Sequence, residues 1–312
     1  MMKGVSMTSS RRSILKGAAA TAALAGLPVH GLMAQQSGPL MRPVPSSGEL
    51  IPAVGLGTWI TFNVGEDPVL RDECAAVMEA FFKAGGRVID SSPMYGSAQS
   101  VIGYGLEKLG RPKTLFSADK VWISDGAEGR AQVNRSRRLW NVPRFELMQV
   151  HNLLSWEAHL ETLQAMKAAR EIRYVGITTS EGRRHDLFER VMASEPLDFV
   201  QISYNPLDRE VEQRILPLAR ERGIGVIVNR PFRQGALTRR LEREKLPGWA
   251  AEVGAETWAQ LILKFILAHP AVTVAIPATT KPHHARENMQ AASDPLPDKK
   301  FRERIAAHIR DI

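Results

Sequence analysis

Short apolar runs alternate with longer amphipathic segments along most of the chain. The apolar runs are typical of buried strands, and the segments between them carry apolar residues three and four positions apart, as on one face of a helix. Strands are predicted at residues 53–59, 87–90, 114–120, 146–152, 174–178, 198–205, 224–232 and 272–277. Helices are predicted at residues 69–84, 97–109, 127–140, 155–172, 182–194, 208–222, 255–268 and 283–292, the last of these being the final helix. Repeated strand-then-helix units predict a parallel sheet.

The number of units and their continuity predict the fold. Eight units follow one another in residues 45–312 without an obvious linker, which favours a closed (β/α)8 TIM barrel over an open doubly wound sheet. No G-x-G-x-x-G motif follows the first strand, and this counts against a Rossmann domain. Ahead of the barrel, "VPSSGELIPAVGLG" predicts an N-terminal β-hairpin that turns at Ser47-Gly48 and covers the N-terminal mouth of the barrel.

The first 34 residues have a different character from the barrel. Arg11-Arg12 precede an apolar stretch, Gly17 to Leu27, which is too short to serve as a permanent membrane span, and Ala34 is a small residue suited to peptidase cleavage. This pattern resembles a twin-arginine signal peptide at residues 1–34, which implies the twin-arginine export machinery as a partner and a periplasmic or otherwise exported protein. The alternative is a basic N-terminal arm, which does not account for the apolar run. No later segment reaches membrane-spanning length, so no stable membrane span is expected.

Charge and cysteine content narrow the functional classes. The formal net charge is +8, but several positive residues belong to the N-terminal segment and others lie in residues 130–144, which read as a solvated helix face. Without zinc-ligand spacing or interleaved aromatic and basic residues, neither a metal site nor nucleic-acid binding is predicted. Cys74 is the only cysteine, so an intrachain disulfide is impossible. It shares a helical face with apolar residues and is expected to be a buried hydrophobe rather than a nucleophile.

Polar residues stand at the predicted carboxyl ends of three successive strands. Asp90 ends the second strand and Tyr95 follows in its loop, while Lys120 ends the third strand and His151 the fourth. Three of these residues have an ordinary structural explanation when taken alone: Asp90 as a helix cap, Lys120 as a loop lysine and His151 as a core histidine. Because the loops that follow barrel strands converge on one mouth, their coincidence on adjacent strands predicts a functional site there.

The chemistry of these four groups is complementary. A free phenol has a pKa near 10 and is a poor acid at neutral pH. A neighbouring ammonium is expected to lower the pKa of Tyr95, and Asp90 keeps Lys120 charged and in place. His151 can donate a hydrogen bond to a carbonyl oxygen and orient it. The set therefore predicts a proton relay in which Tyr95 protonates an oxygen that gains charge as hydride reaches the adjacent carbon.

The same residues lie in three segments that resemble motifs of the aldo/keto reductase superfamily. The segment from Asp90 to Gly96 is similar to its Asp-x-x-x-x-Tyr-Gly motif, "SADKVW" to its strand-three lysine segment, and "RLWNVPRFELMQVHN" to its strand-four histidine segment. The resemblance covers nearly all of residues 45–295. It implies an NADP-dependent oxidoreductase that interconverts aldehydes or ketones and alcohols. It also implies that Tyr95 is the general acid/base, supported by Asp90, Lys120 and His151, and that the nicotinamide cofactor lies extended across the barrel mouth.

The resemblance also implies cofactor contacts near the nicotinamide and the pyrophosphate. Gln201 matches the position that holds the nicotinamide carboxamide, and Thr178-Thr179 stand where the family usually has Ser-Asn. Asn229 occupies the position where the family often has a tyrosine that stacks on the nicotinamide. Stacking is therefore not expected, and Arg230 or Arg233 is expected to contact the pyrophosphate instead.

The segment "IPATTKPHHARENMQAA" resembles the family's adenosine-phosphate segment. The resemblance implies that the 2′-phosphate contacts Thr280, Lys281 and Arg286, and that the adenine contacts Glu287 and Asn288. The two cations favour NADP over NAD. The alternative is a solvated basic helix start, since helix N-termini attract anions in general.

Other functions on the same barrel remain as alternatives. A non-catalytic protein that binds or senses nucleotides is the main one, and the intact set of four residues argues against it. A hydrolase is disfavoured because the chain lacks a carboxylate pair or metal cluster. The substrate is expected to be a small-molecule carbonyl or alcohol, and four aromatic residues in strand-end loops are candidates for an aromatic pocket: Trp59, Phe62, Trp122 and Trp156.

Overall fold

The computed structural model describes residues 38–312, so the predicted signal at residues 1–34 lies outside the described part of the chain. The described chain begins with two short antiparallel strands, β1 (Met41–Pro43) and β2 (Leu50–Pro52). Gly48 turns the chain between them with a φ of 74°, a conformation that favours glycine. From this strand pair, Ile51 is fully buried among side chains from the amino-terminal ends of the barrel strands, including Phe116 and Phe199. The pair therefore packs against the amino-terminal end of the barrel.

Eight parallel strands follow within residues 38–312, and they neighbour one another in sequence order. They are β3 (Leu56–Gly57), β4 (Val88–Asp90), β5 (Phe116–Val121), β6 (Phe145–Val150), β7 (Ile172–Thr178), β8 (Phe199–Ser203), β9 (Gly225–Asn229) and β10 (Val274–Ala275). Two isolated parallel bridges, one of them between Gly57 and Ala278, bring the first and last of these strands together. A Cβ at Gly57 would lie only 2.7 Å from the Ile276 carbonyl oxygen, so this approach requires glycine. The predicted eight-stranded parallel barrel is confirmed.

Helices connect the strands and surround the sheet. They are α1 (Pro68–Lys83), α2 (Ala98–Lys108), α3 (Gly129–Trp140), α4 (Trp156–Ala168), α5 (His185–Ser194), α6 (Ile215–Glu221), α7 (Ala236–Leu241), α8 (Trp258–Leu267), α9 (Pro282–Gln290) and α10 (Lys299–Asp311). None of the helices in residues 38–312 is long and apolar enough to cross a membrane. Cys74 lies buried on α1 beside Val77 and Met78, as expected, and burial raises the pKa of its thiol to about 11.

The prediction that residues 283–292 form the final helix is wrong. Helix α10 follows, and it buries Arg302, Ile305 and Ile309 on one face. This spacing is helical, and Asp298 caps the first turn by accepting from the Phe301 amide at 2.7 Å. The helix lies beyond the eighth strand–helix unit, so a count of barrel units does not include it.

The strand register brings the polar strand ends to one mouth. Asp90 is opposite Gly57 and Ala118, and Lys120 is opposite Gln149 on the next strand. Because side chains alternate along a strand, Lys120 and Ala118 point to the same face, into the barrel. The side chains at the carboxyl ends of β4 to β8 therefore meet within a small volume.

Candidate active site

A cavity of about 710 Å³ opens at the carboxyl-terminal mouth of the barrel. Its floor includes Asp90, Tyr95, His151 and Gln201, which come from three different strands or the loops that follow them. The volume is within the range of small-molecule and cofactor sites. This is also the end at which barrel enzymes build their sites.

Lys120 and Asp90 form a buried ion pair at the base of the cavity. Lys120 Nζ lies 2.5 Å from Asp90 Oδ1, and the lysine side chain is fully buried. Burial by itself disfavours the ammonium, but Asp90, Tyr95 and Asp119 together outweigh it, with Asp90 contributing most, and raise the pKa of Lys120 above its ordinary value. The other carboxylate oxygen, Oδ2, accepts from Gln201 Nε2 at 2.9 Å and from Gln149 Nε2 at 3.2 Å. Lys120 is therefore a fixed positive charge beneath the cavity.

The loop after β4 brings Tyr95 back over this charge. The Tyr95 amide donates to the Ser92 carbonyl at 3.0 Å, closing a turn, and Gly96 follows with a φ of 60°. A Cβ at Gly96 would lie 2.2 Å from Asn63 Oδ1, so glycine is required here on both counts. The turn places the centre of the Tyr95 ring 5.0 Å from Lys120 Nζ.

The pKa of Tyr95 moves in the direction opposite to the one expected from the sequence. Burial of the phenol raises its pKa above 10, although the positive charge of Lys120 acts in the other direction. The expectation considered the ammonium and omitted the loss of solvation. At neutral pH the phenol is therefore protonated and is available as a proton donor.

His151 lies beside Tyr95 with the two rings edge to face, their centres 5.8 Å apart at 87°. Burial and the charge of Lys120 hold the pKa of His151 well below its ordinary value, so its imidazole is neutral. Its Nδ1 lies 2.8 Å from Ser92 Oγ. A protonated phenol and a neutral imidazole thus face the same cavity above a buried ammonium.

The structure places the predicted nicotinamide and pyrophosphate residues unevenly. Gln201, Thr178 and Arg230 line the cavity. Thr179 is buried behind it, where its Oγ1 donates to the Arg183 carbonyl at 2.5 Å. Arg233 also lies outside the lining, and its Nε is 3.1 Å from Asp208 Oδ2.

The predicted adenosine segment meets the cavity at its start and again at His284 on α9. Thr280 lines the cavity, whereas Lys281 and Arg286 are exposed beyond the lining at the start of α9 and along it. Glu287 accepts from Thr257 Oγ1 at 2.5 Å, and Asn288 is buried. These last four residues are therefore not in the cavity itself.

Several cavity residues escaped the sequence analysis. Glu181 pairs with both Arg183 and Arg230 at the rim, and Arg239 adds a further positive charge. Gln149 is buried outside the cavity lining and donates to Asp90. It lies on β6 two residues before His151, which directly follows the strand, and this period of two was the signal that could have revealed it. The positive rim and the cavity volume fit an anionic dinucleotide such as a nicotinamide cofactor.

One wall of the cavity is apolar. It includes Trp59, Ile60, Met94 and Phe232, of which Ile60 is 62% exposed and Met94 41% exposed. Of the other aromatic residues expected here, Phe62 is fully buried in the core instead. Trp122 and Trp156 lie outside the cavity lining, with the Trp122 ring centre 6.5 Å from that of His151. Of the four aromatic residues expected to form a pocket, only Trp59 therefore lines the cavity.

Residues 38–312 contain no group of three or more His, Cys, Asp or Glu side chains that could hold a metal ion. The fold and the floor of the cavity define a class: a parallel (β/α)8 barrel protein with an Asp, Tyr, Lys and His cluster at its carboxyl mouth. The sequence profile of the Aldo/keto reductase family matches residues 53–309. The chain belongs to this family.

Relatives of this chain differ in the nicotinamide cofactor that their names specify. The chain is 24% identical over 306 residues to the NADH-specific methylglyoxal reductase of Escherichia coli, covering 78% of this chain and 91% of the relative. It is also 24% identical over 303 residues to the aldo-keto reductase yakc of Schizosaccharomyces pombe, named for NADP(+), covering 82% and 88%. A crystal structure of an aldo-keto reductase from Klebsiella pneumoniae in complex with NADPH superposes with a TM-score of 0.71 at 21% identity, covering 86% and 94%. At this level of identity, the structural similarity supports the fold alone.

Proposed function

We propose that this protein is an NADP(H)-dependent carbonyl reductase that converts aldehydes or ketones into alcohols, or catalyses the reverse oxidation. One observation carries the proposal: the protonated Tyr95 phenol lines the cavity, and its ring centre lies 5.0 Å from the Lys120 ammonium buried beneath the floor. Family membership and the volume and charge of the cavity support a nicotinamide cofactor.

Each side chain of the floor has a distinct part in the proposed reaction. When bound in the cavity, a dihydronicotinamide would supply a hydride to the carbonyl carbon. Tyr95 donates its proton to the carbonyl oxygen, and the electron pair of the O–H bond stays on the phenolate. Lys120 stabilises this phenolate electrostatically until solvent returns the proton. His151 donates a hydrogen bond to the same carbonyl oxygen, and Gln201 would hold the carboxamide of a bound cofactor.

The reaction is tested by mixing the purified protein, NADPH and reactive carbonyl compounds, including methylglyoxal and an activated aromatic aldehyde. Loss of NADPH absorbance together with formation of the alcohol is the expected result. Tight binding of nucleotide without turnover of any carbonyl compound would contradict the proposal and favour a nucleotide-sensing protein. Absorbance and fluorescence of the freshly purified protein reveal whether a nicotinamide cofactor co-purifies.

The preference for NADP is proposed from Lys281 and Arg286. Both are exposed cations at or near the N-terminus of α9, where backbone amides also favour an anion. Titration of tryptophan fluorescence with NADPH and NADH should show tighter binding of NADPH. Arg286→Ala should weaken NADPH binding roughly tenfold or more, the size of one charge-assisted hydrogen bond, and leave NADH binding unchanged. Equal affinity of the wild-type protein for both cofactors refutes the preference.

Export by the twin-arginine route is proposed from residues 1–34 alone, with residues 45–312 as the catalytic barrel. The support is the pair Arg11-Arg12 ahead of a short apolar run. Since free nicotinamide cofactor is scarce outside the cytoplasm, this route suits a protein that folds around its cofactor before export. Replacing both arginines by lysine should retain the protein in the cytoplasm on cell fractionation. Undiminished export of that variant would eliminate the twin-arginine assignment.

A further inference from the structure

Ser92 occupies a position that the proposed reaction has not yet used. It is fully buried two residues after Asp90, and its Oγ lies 2.8 Å from His151 Nδ1. The Met94 amide donates to the same Oγ at 3.2 Å. The hydroxyl thus lies between a backbone donor and a ring nitrogen that can be either a donor or an acceptor.

The direction of the Ser92–His151 hydrogen bond follows from the partners that the hydroxyl has. Ser92 Oγ already accepts from the Met94 amide, so its own proton needs an acceptor. Within residues 38–312 no carbonyl or carboxylate oxygen accepts from it, and His151 Nδ1 is the acceptor within reach. A buried hydroxyl proton without an acceptor is costly, by about 1–3 kcal/mol. Ser92 therefore donates to Nδ1.

The tautomer of the imidazole follows from this direction. A neutral imidazole has one protonated nitrogen and one acceptor nitrogen, so Nδ1 as acceptor places the proton on Nε2. His151 is 6% exposed and lines the cavity, while its Nδ1 edge is taken by Ser92. Nε2 is then the ring nitrogen left to meet a substrate.

We infer that Ser92 is a positioning residue that fixes the Nε2–H tautomer of His151, so that this nitrogen donates to the carbonyl oxygen of the substrate. The part that concerns the substrate rests on the proposed carbonyl reductase function. The tautomer itself does not, because it depends only on groups within the protein. Burial and the nearby Lys120 keep the doubly protonated ring unpopulated, so Ser92 selects between the two neutral forms.

The chain offers a matched control in the neighbouring residue. Ser91 is also fully buried, but its Oγ has no hydrogen-bond partner. Ser91→Ala and Ser92→Ala therefore remove the same group from adjacent buried positions, and only the second removes a bond to His151. Ser92→Cys keeps a side chain of similar shape with a much weaker donor, and it serves if Ser92→Ala fails to fold by circular dichroism.

The tautomer is measured by nitrogen NMR of protein labelled with ¹⁵N-histidine, with the His151 signals assigned through His151→Gln. In the wild type and in Ser91→Ala, Nε2 should be protonated and Nδ1 should have the shift of a hydrogen-bonded acceptor. In Ser92→Ala or Ser92→Cys, the Nδ1 shift should move, because the ring is then free to populate the other tautomer. A protonated Nδ1 in the wild type, or identical shifts in all variants, overturns the inference.

Kinetics test the link to the reaction separately. In Ser92→Ala, kcat for an aromatic aldehyde should fall about tenfold, the effect expected of one hydrogen bond, with KM for NADPH unchanged. Ser91→Ala should keep the wild-type kcat. Equal kcat values for the two alanine variants overturn the catalytic part of the inference. If the wild type reduces no carbonyl compound while the NMR result holds, the failure lies in the proposed function and not in the tautomer.

Discussion

Removal of the Tyr95 hydroxyl is the most direct perturbation of the proposed reaction. Tyr95→Phe keeps the ring, and with it the edge-to-face contact with His151 and the position 5.0 Å from Lys120 Nζ. The fold and the cofactor site should therefore be unchanged. General acid catalysis typically contributes about 10²–10⁴-fold, so kcat should fall by this factor. At about 1.4 kcal/mol per factor of ten, the loss corresponds to roughly 3–5 kcal/mol of activation free energy.

The assay is steady-state reduction of an activated aromatic aldehyde by NADPH, combined with a cofactor titration of each variant. Tyr104→Phe is the matched control, because the hydroxyl of Tyr104 binds Asp72 between α1 and α2, away from the cavity. Tyr104→Phe should have the wild-type kcat. If Tyr95→Phe retains most of the wild-type rate with unchanged cofactor affinity, Tyr95 is not the proton donor and the reasoning from the floor of the cavity is refuted.

The pH dependence of reduction provides an independent check on the same residue. Reduction needs the protonated phenol, and burial raises the pKa of Tyr95 above 10. The rate at saturating substrate should therefore be constant through neutral pH and decline only in strongly alkaline solution. The pKa of Asp119, which adjoins Lys120, is raised to about 7, so a decline centred near pH 7 would identify another group as the acid only if it persists in Asp119→Asn.

Three further predictions concern stability and the cavity wall. Burial raises the pKa of Asp119 to about 7, so the folded state binds a proton that the unfolded state has lost, and the free energy of unfolding should fall as pH rises from about 4 to 7. Asp119→Asn should remove this decline in urea titrations, because an amide does not titrate, and the Gln99 amide can rotate to accept from it. An equal decline in both proteins would exclude Asp119 as its source. Ile60 is β-branched with a φ of 63°, a conformation that asparagine adopts more readily, so Ile60→Asn should not lower stability. Because Ile60 lines the cavity with an apolar side chain, the same change should raise KM for aromatic aldehydes severalfold. An unchanged KM would argue against this apolar lining as a substrate contact. Arg302, on α10, is buried and donates to Glu212 and to the Phe265 carbonyl, while Glu212 is partly exposed and also pairs with Arg209. Arg302→Ala should therefore lower the free energy of unfolding by about 1–3 kcal/mol in urea, the cost of these lost hydrogen bonds, whereas the exposed control Lys300→Ala should change it little. Equal effects would show that the contacts of Arg302 are not the cause.

Periodicity revealed most of the helices because they are long compared with the 3.6-residue repeat that marks them, and the strands were recognised as the apolar runs between them. Helix α1, for example, was expected at residues 69–84 and extends from Pro68 to Lys83. Helix α7 was missed since its six residues, Ala236–Leu241, are too few to show a helical period. The helix expected at residues 208–222 is divided into a short 3-10 turn, Glu210–Glu212, and α6. The local sequence pattern thus predicts long helices well, but it misses short helices and the points at which a helix is interrupted.

The candidate site was predictable where it depends on strand order and not where it depends on solvation. Asp90 and Lys120 lie at the ends of adjacent parallel strands, so their contact follows from topology alone. The direction of the pKa shift of Tyr95 depends on how deeply the phenol is buried, and a motif does not contain this information. Ser92 was visible within the tyrosine motif, but its partner His151 lies 59 positions later, and only the folded chain brings the two together.

In the proposed reaction, the buried charges explain how a phenol with a raised pKa can act as the acid. At rest, the phenolate is disfavoured by burial, so the proton stays on Tyr95. Proton donation moves negative charge from the substrate oxygen to a position next to Lys120, and this ammonium is held beneath the ring by Asp90. Gln149 and Gln201 both donate to Asp90 Oδ2 while Lys120 donates to Oδ1, so the carboxyl group is fixed in place and holds the lysine side chain beneath the ring. The floor thus keeps the proton in place until charge develops on the substrate and stabilises the phenolate only then, which is why Lys120→Met should impair turnover about as severely as Tyr95→Phe.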